Sequence, residues 1–231
     1  MTTVTDIKKL YDAGAHFALP RARRHPTSAP FIFSTKDRTD IFDLEETVRR
    51  ITKAEEFVRE LAKSGKSLLF VGGKNEVIAP VKDAAVRVAQ PHVAGRWIGG
   101  TLTNFKIIRK RIDRLEKLTA DRESGELDKY TKRERLMIDR EIEELLARFG
   151  GIVSLRELPG AIFIVDTRHE HTAVREANQM GVPVIGLASS DCDFARIKFP
   201  IPANDTSVKS VRFVTELIAD AYQEGKKPAA H

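Results

Sequence analysis

The sequence predicts a three-layer α/β domain built on a parallel sheet, with two long helices inserted near its middle. Three observations carry this. Short apolar runs at 67–71 (SLLFV), 161–165 (AIFIV) and 182–187 (VPVIGL) have the length and content of strands buried on both faces. Stretches of helical periodicity separate strand candidates, the alternation that yields a parallel sheet with helices on both sides. Between the first two runs lies a long, charged segment with a narrow apolar seam, too polar to be a core helix.

In chain order, residues 1–40 read as irregular and locally basic. Arg21, Arg23 and Arg24 fall between Pro20 and Pro26, and proline at this density disfavours helix and favours extended backbone. The apolar pairs around Phe31–Phe33 and Ile41–Phe42, separated by STKDRTD, predict a short hairpin. Residues 43–63 carry Leu44, Val48, Ile51, Val58 and Leu61 near one helical face, and Gly65 follows. After the 67–71 strand, a helix over about 76–89 contains Pro80 in its first turns. A short strand at 92–94 leads to Arg96. Beyond the insertion, AIFIV ends at Asp166, a helix runs over about 169–180 to Gly181, and strands at 182–187 and 199–201 follow. The last helix covers about 207–223, and the tail EGKKPAAH is expected to be disordered.

The basic stretch at 95–118 opens with Arg96-Trp97, turns on Gly99-Gly100 and starts a helix for which Thr103 or Asn104 can serve as N-cap. Ile108, Ile112 and Leu115 form its seam. Seven basic and two acidic side chains between Arg96 and Leu118 give +5, most of the chain's +6. A polar turn at 119–130 precedes a second helix over about 131–149, and two helices so joined predict an antiparallel coiled-coil hairpin. The domain map is therefore a basic arm and hairpin at 1–40, a globular α/β domain at 41–103 and 150–224, the inserted hairpin at 104–149, and a tail at 225–231.

The composition, 42% hydrophobic and 31% charged over 231 residues, is that of a globular protein. No apolar run approaches the ~18 residues that span a bilayer, and the first residues lack the order of a secretory signal. One cysteine, Cys192, excludes an internal disulfide and a four-cysteine zinc site, and a reducing cytoplasm fits. The basic balance favours a polyanionic partner.

Enzyme chemistry finds little support. Gly72-Gly73-Lys74 precedes a helix but lacks the G-x-G-x-x-G spacing, and Gly65-Lys66-Ser67 lies before its strand without the glycine five residues upstream. Asp166, His169 and His171 read as a capped helix start with exposed imidazoles, and Cys192 lacks an evident base. The basic segment is the stronger candidate. Glycine lets a main chain approach phosphate, helix N-termini favour anions, and an arginine–aromatic pair can stack on unpaired bases. Candidate RNA contacts are Arg21, Arg23, Arg24, Arg96, Trp97, Thr101, Asn104, Lys106, Arg109, Lys110 and Arg114, with no catalytic residue, metal or resident cofactor expected. The competing reading is an α/β enzyme with a helical appendage acting on a nucleotide-like ligand.

GRWIGGTLTNFKIIRKRIDRLEKL at 95–118 resembles the signature of the bacterial-type small ribosomal subunit protein two family. The order and spacing of GAHF at 14–17, IFDLEETV at 41–48, FVGGK at 70–74, LPGAIFIVDTRHEHTAVREANQMGVPVIGL at 158–187 and IPANDTSVKSVRFVTELIADA at 201–221 extend the resemblance over nearly the whole chain. The resemblance implies a flavodoxin-like domain with a protruding coiled-coil hairpin and a non-catalytic role on the cytoplasmic small subunit. It also implies binding to small-subunit ribosomal RNA and neighbouring ribosomal proteins, docking of the largest small-subunit protein in many bacteria, and no membrane partner. Two places depart from the family pattern: Ala18-Leu19-Pro20 follows GAHF where Gly-His is usual, and Phe194 stands where proline often follows Cys-Asp.

Overall fold

The computed structural model describes residues 7–226; the tail expected to be disordered lies, from residue 227 onward, outside the described residues. A parallel sheet of five strands forms the centre: β4 (Leu68–Gly72), β5 (His92–Ala94), β6 (Ala161–Val165), β7 (Val184–Ala188) and β8 (Phe199–Pro202). They lie in the order β5-β4-β6-β7-β8. Renumbered within the sheet this is 2-1-3-4-5, the order of flavodoxin-type doubly wound folds, with its switch point between β4 and β6. Pro200 and Pro202 sit in β8, an outer strand, where a missing N–H costs no ladder bond on the solvent side.

The strands alternate as a doubly covered sheet requires. Leu68, Phe70, Ala161, Phe163, Ile185 and Leu187 face one apolar layer, and Leu69, Val71, Ile162, Ile164 and Val184 face the other. The first layer is closed by α2 (Leu44–Lys63), α3 (Asn75–Arg87) and α7 (Val208–Lys226), the second by α6 (His171–Gln179) and α4 (Phe105–Glu123) with α5 (Lys132–Phe149). Asp43 caps α2, its Oδ1 accepting from Glu45 N at 2.9 Å. α7 runs to Lys226, past the predicted end, because Gly225 sits against the Arg59 backbone of α2, where a Cβ would come within 2.4 Å of the Arg59 carbonyl oxygen.

α4 and α5 pack on each other. Ile108, Ile112, Leu115 and Leu118 bury against Ile142, Leu145 and Phe149, and Thr131 and Glu134 form a reciprocal capping box at the start of α5. Arg114 reaches Glu141 across the pair at 3.1 Å. Leu136, Met137 and Leu146 point outward, so the seam is narrower than their apolar character suggests.

The first forty residues differ most from expectation. Among the described residues they form α1 (Ile7–Asp12), β1 (Phe17–Pro20), two 3₁₀ turns at Arg21–Arg23 and Pro26–Phe31, and β2 (Ile32–Lys36), which pairs with β3 (Thr39–Phe42) as predicted. β1 adds to β3 on the other side, giving a three-stranded antiparallel sheet. Pro20 ends the extended β1 as expected, whereas Pro26 starts a 3₁₀ turn, occupying its first position, where no N–H is needed. His25 N and Ser28 Oγ both donate to Ser190 O at 2.8 Å, and Phe194 N donates to Thr27 Oγ1 at 3.0 Å. The arginine-proline segment is thereby tied to the loop after β7.

Candidate nucleic-acid interface

The loop between β5 and α4 is organised from the inside. Glu176 of α6, 6% exposed, turns its carboxylate into the loop and accepts five hydrogen bonds. Oε1 receives Trp97 Nε1 at 3.1 Å and Gly100 N at 2.8 Å. Oε2 receives Leu102 N at 3.0 Å, Thr103 N at 3.2 Å and Thr103 Oγ1 at 3.1 Å. Burial pushes this carboxyl up, but the donors from Gly100, Trp97, Leu102 and Thr103 outweigh it, and the net shift is down. Gly100 (φ +90°) adopts a backbone that a side-chain-bearing residue rarely holds, which lets its N–H join the set.

This changes the expected role of several residues. The backbone N–H groups ahead of α4 that sequence reasoning offers to a phosphate are occupied by an internal anion. Trp97 packs beneath the loop, 8% exposed, instead of standing out to stack on a base. Thr101 is buried and its hydroxyl donates to Ile98 O at 2.6 Å. Asn104 holds the N-cap position of α4 but makes no side-chain cap bond. Glu176 itself went unpredicted. The signal was an acid three residues from Ala173 on the apolar side of a short helix, a place where charge needs an internal partner.

Arg109 is also committed inside the protein. Its guanidinium binds Asp113 at 2.8 Å, Glu116, and the carbonyls of Val153 at 3.0 Å and Leu155 at 3.3 Å, so it roots α4 on the domain. Arg114 is exposed but paired with Glu141. Arg24 lies 3.6 Å from the buried carboxylate of Asp40. The remaining predicted cations face solvent: Arg21, Arg23, Arg96, Lys106 and Lys110 make no ion pair among the described residues. At 100° per residue, Lys106, Lys110 and Lys117 fall within roughly 40° of one another, opposite the Ile108–Ile112 seam. α4 thus presents a stripe of three free lysines.

The carboxyl ends of the strands, where ligands bind in doubly wound folds, open into a cleft of about 970 Å³ at the β4–β6 switch point. Two of its cations are paired, Lys74 with Asp166 and Arg168 with Asp191 at 2.6 Å, while Arg23 also lines it without an ion pair among the described residues. Gly73 is needed for packing, since a Cβ there would lie 2.5 Å from Glu170 Oε1 and 2.8 Å from Gly95 O. Asp166 holds a left-handed backbone (φ +61°) and its Oδ1 accepts from His169 N at 2.9 Å, capping the turn into α6. Burial pushes the Cys192 thiol up to about 12, which leaves no thiolate nucleophile at neutral pH.

Asp205, beside this cleft and 2% exposed, is pushed up to about 7 by burial and by the charge of Asp166. The folded state therefore holds a proton that the unfolded chain releases near its ordinary 3.8. Stability from this group is greatest below that value and falls as pH rises toward 7. Asp205→Asn keeps an oxygen for Ser189 N, now 3.3 Å away, and removes the titration. Its melting temperature should equal that of wild type near pH 4 and exceed it by about 5 °C at pH 8. Parallel melting curves across that range would show the charge to be unimportant.

Together the fold and surface define a basic α/β protein with a lysine-striped helical pair. The comparisons are specific. The family model for ribosomal protein S2 matches residues 10–225. The small ribosomal subunit protein uS2 of Bdellovibrio bacteriovorus is 40% identical over 227 residues, 98% of this chain and 72% of that protein. The uS2 of Coprothermobacter proteolyticus is 39% identical over 224 residues, 97% and 84% of the two chains. That of Roseiflexus castenholzii is 41% identical over 223 residues, 96% and 85%. The chain belongs to the ribosomal protein S2 family, a family of structural proteins and not of enzymes. Among the described residues no helix is long and apolar enough to cross a membrane.

Proposed function

We propose that this protein is a structural constituent of the small ribosomal subunit that binds small-subunit ribosomal RNA through the outer face of α4. The observation that carries this reading is the stripe of Lys106, Lys110 and Lys117, unpaired among the described residues and facing solvent on the side of α4 opposite its apolar seam. A row of mobile ammonium groups suits phosphates along an RNA backbone. Exposed Arg96 in the loop ahead of α4, and Arg21 and Arg23, supply further basic points. The names of the relatives support the assignment to the small subunit.

In this reading residues 104–149 form the inserted coiled-coil hairpin, 41–103 with 150–224 the globular domain, and 1–40 a basic arm pinned to the loop after β7. Neighbouring ribosomal proteins, including the largest of the small subunit, are the protein partners, and the site of action is the cytoplasm. An enzyme reading gains little from the switch-point cleft, because Lys74 and Arg168 are neutralised in place by Asp166 and Asp191. The tagged chain, expressed in a bacterium, should co-sediment with small subunits in a sucrose gradient and persist through a moderate-salt wash. Recovery only in the light fractions would reject the assignment.

A further inference from the structure

The outer edge of β5 borders a second basic concavity, distinct from the α4 stripe. Phe70 N donates to Pro91 O and Gly95 N to Gly72 O, so the parallel ladder turns the N–H groups of His92 and Ala94 away from β4, toward the outer edge, where Gly151 packs against the His92 carbonyl. Against this edge the end of α5 closes a cleft of about 380 Å³. Lys82 of α3, Arg96 and Arg148 of α5 line it, with His92 between them, and no acidic side chain contributes to its wall. All three cations are exposed. Arg148 has one acidic neighbour, Glu144 at 3.8 Å, itself exposed. The carbonyl end of α5 adds a partial negative charge of about half a unit, which three full cations outweigh.

We propose that this cleft binds a sugar–phosphate segment of RNA, with Lys82 and Arg148 on phosphate oxygens and the edge N–H of Ala94 available as a further donor. Burial lowers the His92 imidazole from its ordinary value, and the charge of Lys82 adds to this. Apart from His92 no ring lines the cleft, so it grips backbone and does not stack bases. A peptide adding to the edge is disfavoured, since β5 is only three residues long and its surroundings are cationic. The inference rests on the RNA-binding reading above and extends it to a surface about β5 that the α4 stripe does not include.

The test is filter binding of the full chain to small-subunit ribosomal RNA over a range of salt. Lys82→Ala/Arg148→Ala should flatten the slope of log K against log salt by about 1.5 units, as expected for two lost phosphate contacts. Lys82→Gln/Arg148→Gln should reproduce this without a change in far-UV circular dichroism. A control with the same charge change, Lys53→Ala/Lys209→Ala on α2 and α7, should leave the slope as in wild type. An unchanged slope in the cleft variants, with wild type binding normally, overturns the cleft and leaves the proposed function standing. An equal effect in the control pair also overturns it, as a general field effect. Loss of a protein neighbour from the subunit with RNA affinity intact would assign the cleft to an acidic peptide and overturn it too. Absence of RNA binding by wild type would reject both readings.

Discussion

Glu176→Ala should unfold the loop ahead of α4 and lower stability by about 3–5 kcal/mol. The mutation strands the buried Leu102 N–H and Trp97 indole and the half-buried N–H groups of Gly100 and Thr103; a buried donor left without an acceptor costs ~1–3 kcal/mol. Loop relaxation recovers part of that sum by letting water reach the freed donors. For a chain of this size the loss corresponds to a fall in melting temperature of about 10 °C, and Trp97 fluorescence should move to the red as the ring becomes wetted. Glu176→Gln separates charge from shape. An amide fills the same space but must aim its own N–H groups at some of the donors the carboxylate accepts, so it too should be destabilising. A neutral Gln variant would show that volume, and not the acceptor set, holds the loop. The net downward shift of Glu176 also sets a sign for pH: its contribution is complete above the ordinary carboxylate value of 4.5 and is lost as pH falls through the lowered value. Glu176→Ala should therefore be less acid-sensitive than wild type, measured as the change in melting temperature between pH 7 and pH 3.

Replacing Lys106, Lys110 and Lys117 together with alanine should flatten the salt dependence of RNA binding by about 2–3 units, at ~0.7–0.9 per lost phosphate contact. The fold should be untouched, because these side chains lie opposite the seam and make no ion pair among the described residues. Arg109→Ala is the instructive contrast. It removes one cation from the same helix but frees the carbonyls of Val153 and Leu155 and the carboxylates of Asp113 and Glu116. Its effect should appear in melting temperature first and in the salt slope little. If the triple variant entered small subunits with wild-type occupancy and slope, α4 would be a solvated face, and Arg21 and Arg23 would be the better candidates.

The arginines of α4 show what could be read from the chain and what could not. Spacing identified the helix, its seam and its charge excess, because helical periodicity is a local property of residues three and four apart. Whether an arginine on that helix is free depends on acceptors brought to it by the fold. Arg109 meets Val153 and Leu155 O, more than forty positions away, while Lys106 and Lys110 meet solvent. The same limit applied to Trp97, for which stacking on RNA and packing beneath the loop could not be separated without Glu176. β1 escaped notice because four residues, FALP, carry no alternation strong enough to mark an edge strand.

By itself the sequence determined the alternating α/β order, the two inserted helices, the basic balance and the family resemblance. Each of these depends on local pattern, composition or ordered motifs. The tertiary structure alone decided which charges remain available. Glu176, Asp40 and Glu116 each take a cation or donors from another segment, Glu116 from Arg156, and β5 becomes an outer strand only through the sheet order. Pairing of buried or half-buried charges is a long-range event set by chain topology, and no window of neighbouring residues contains it.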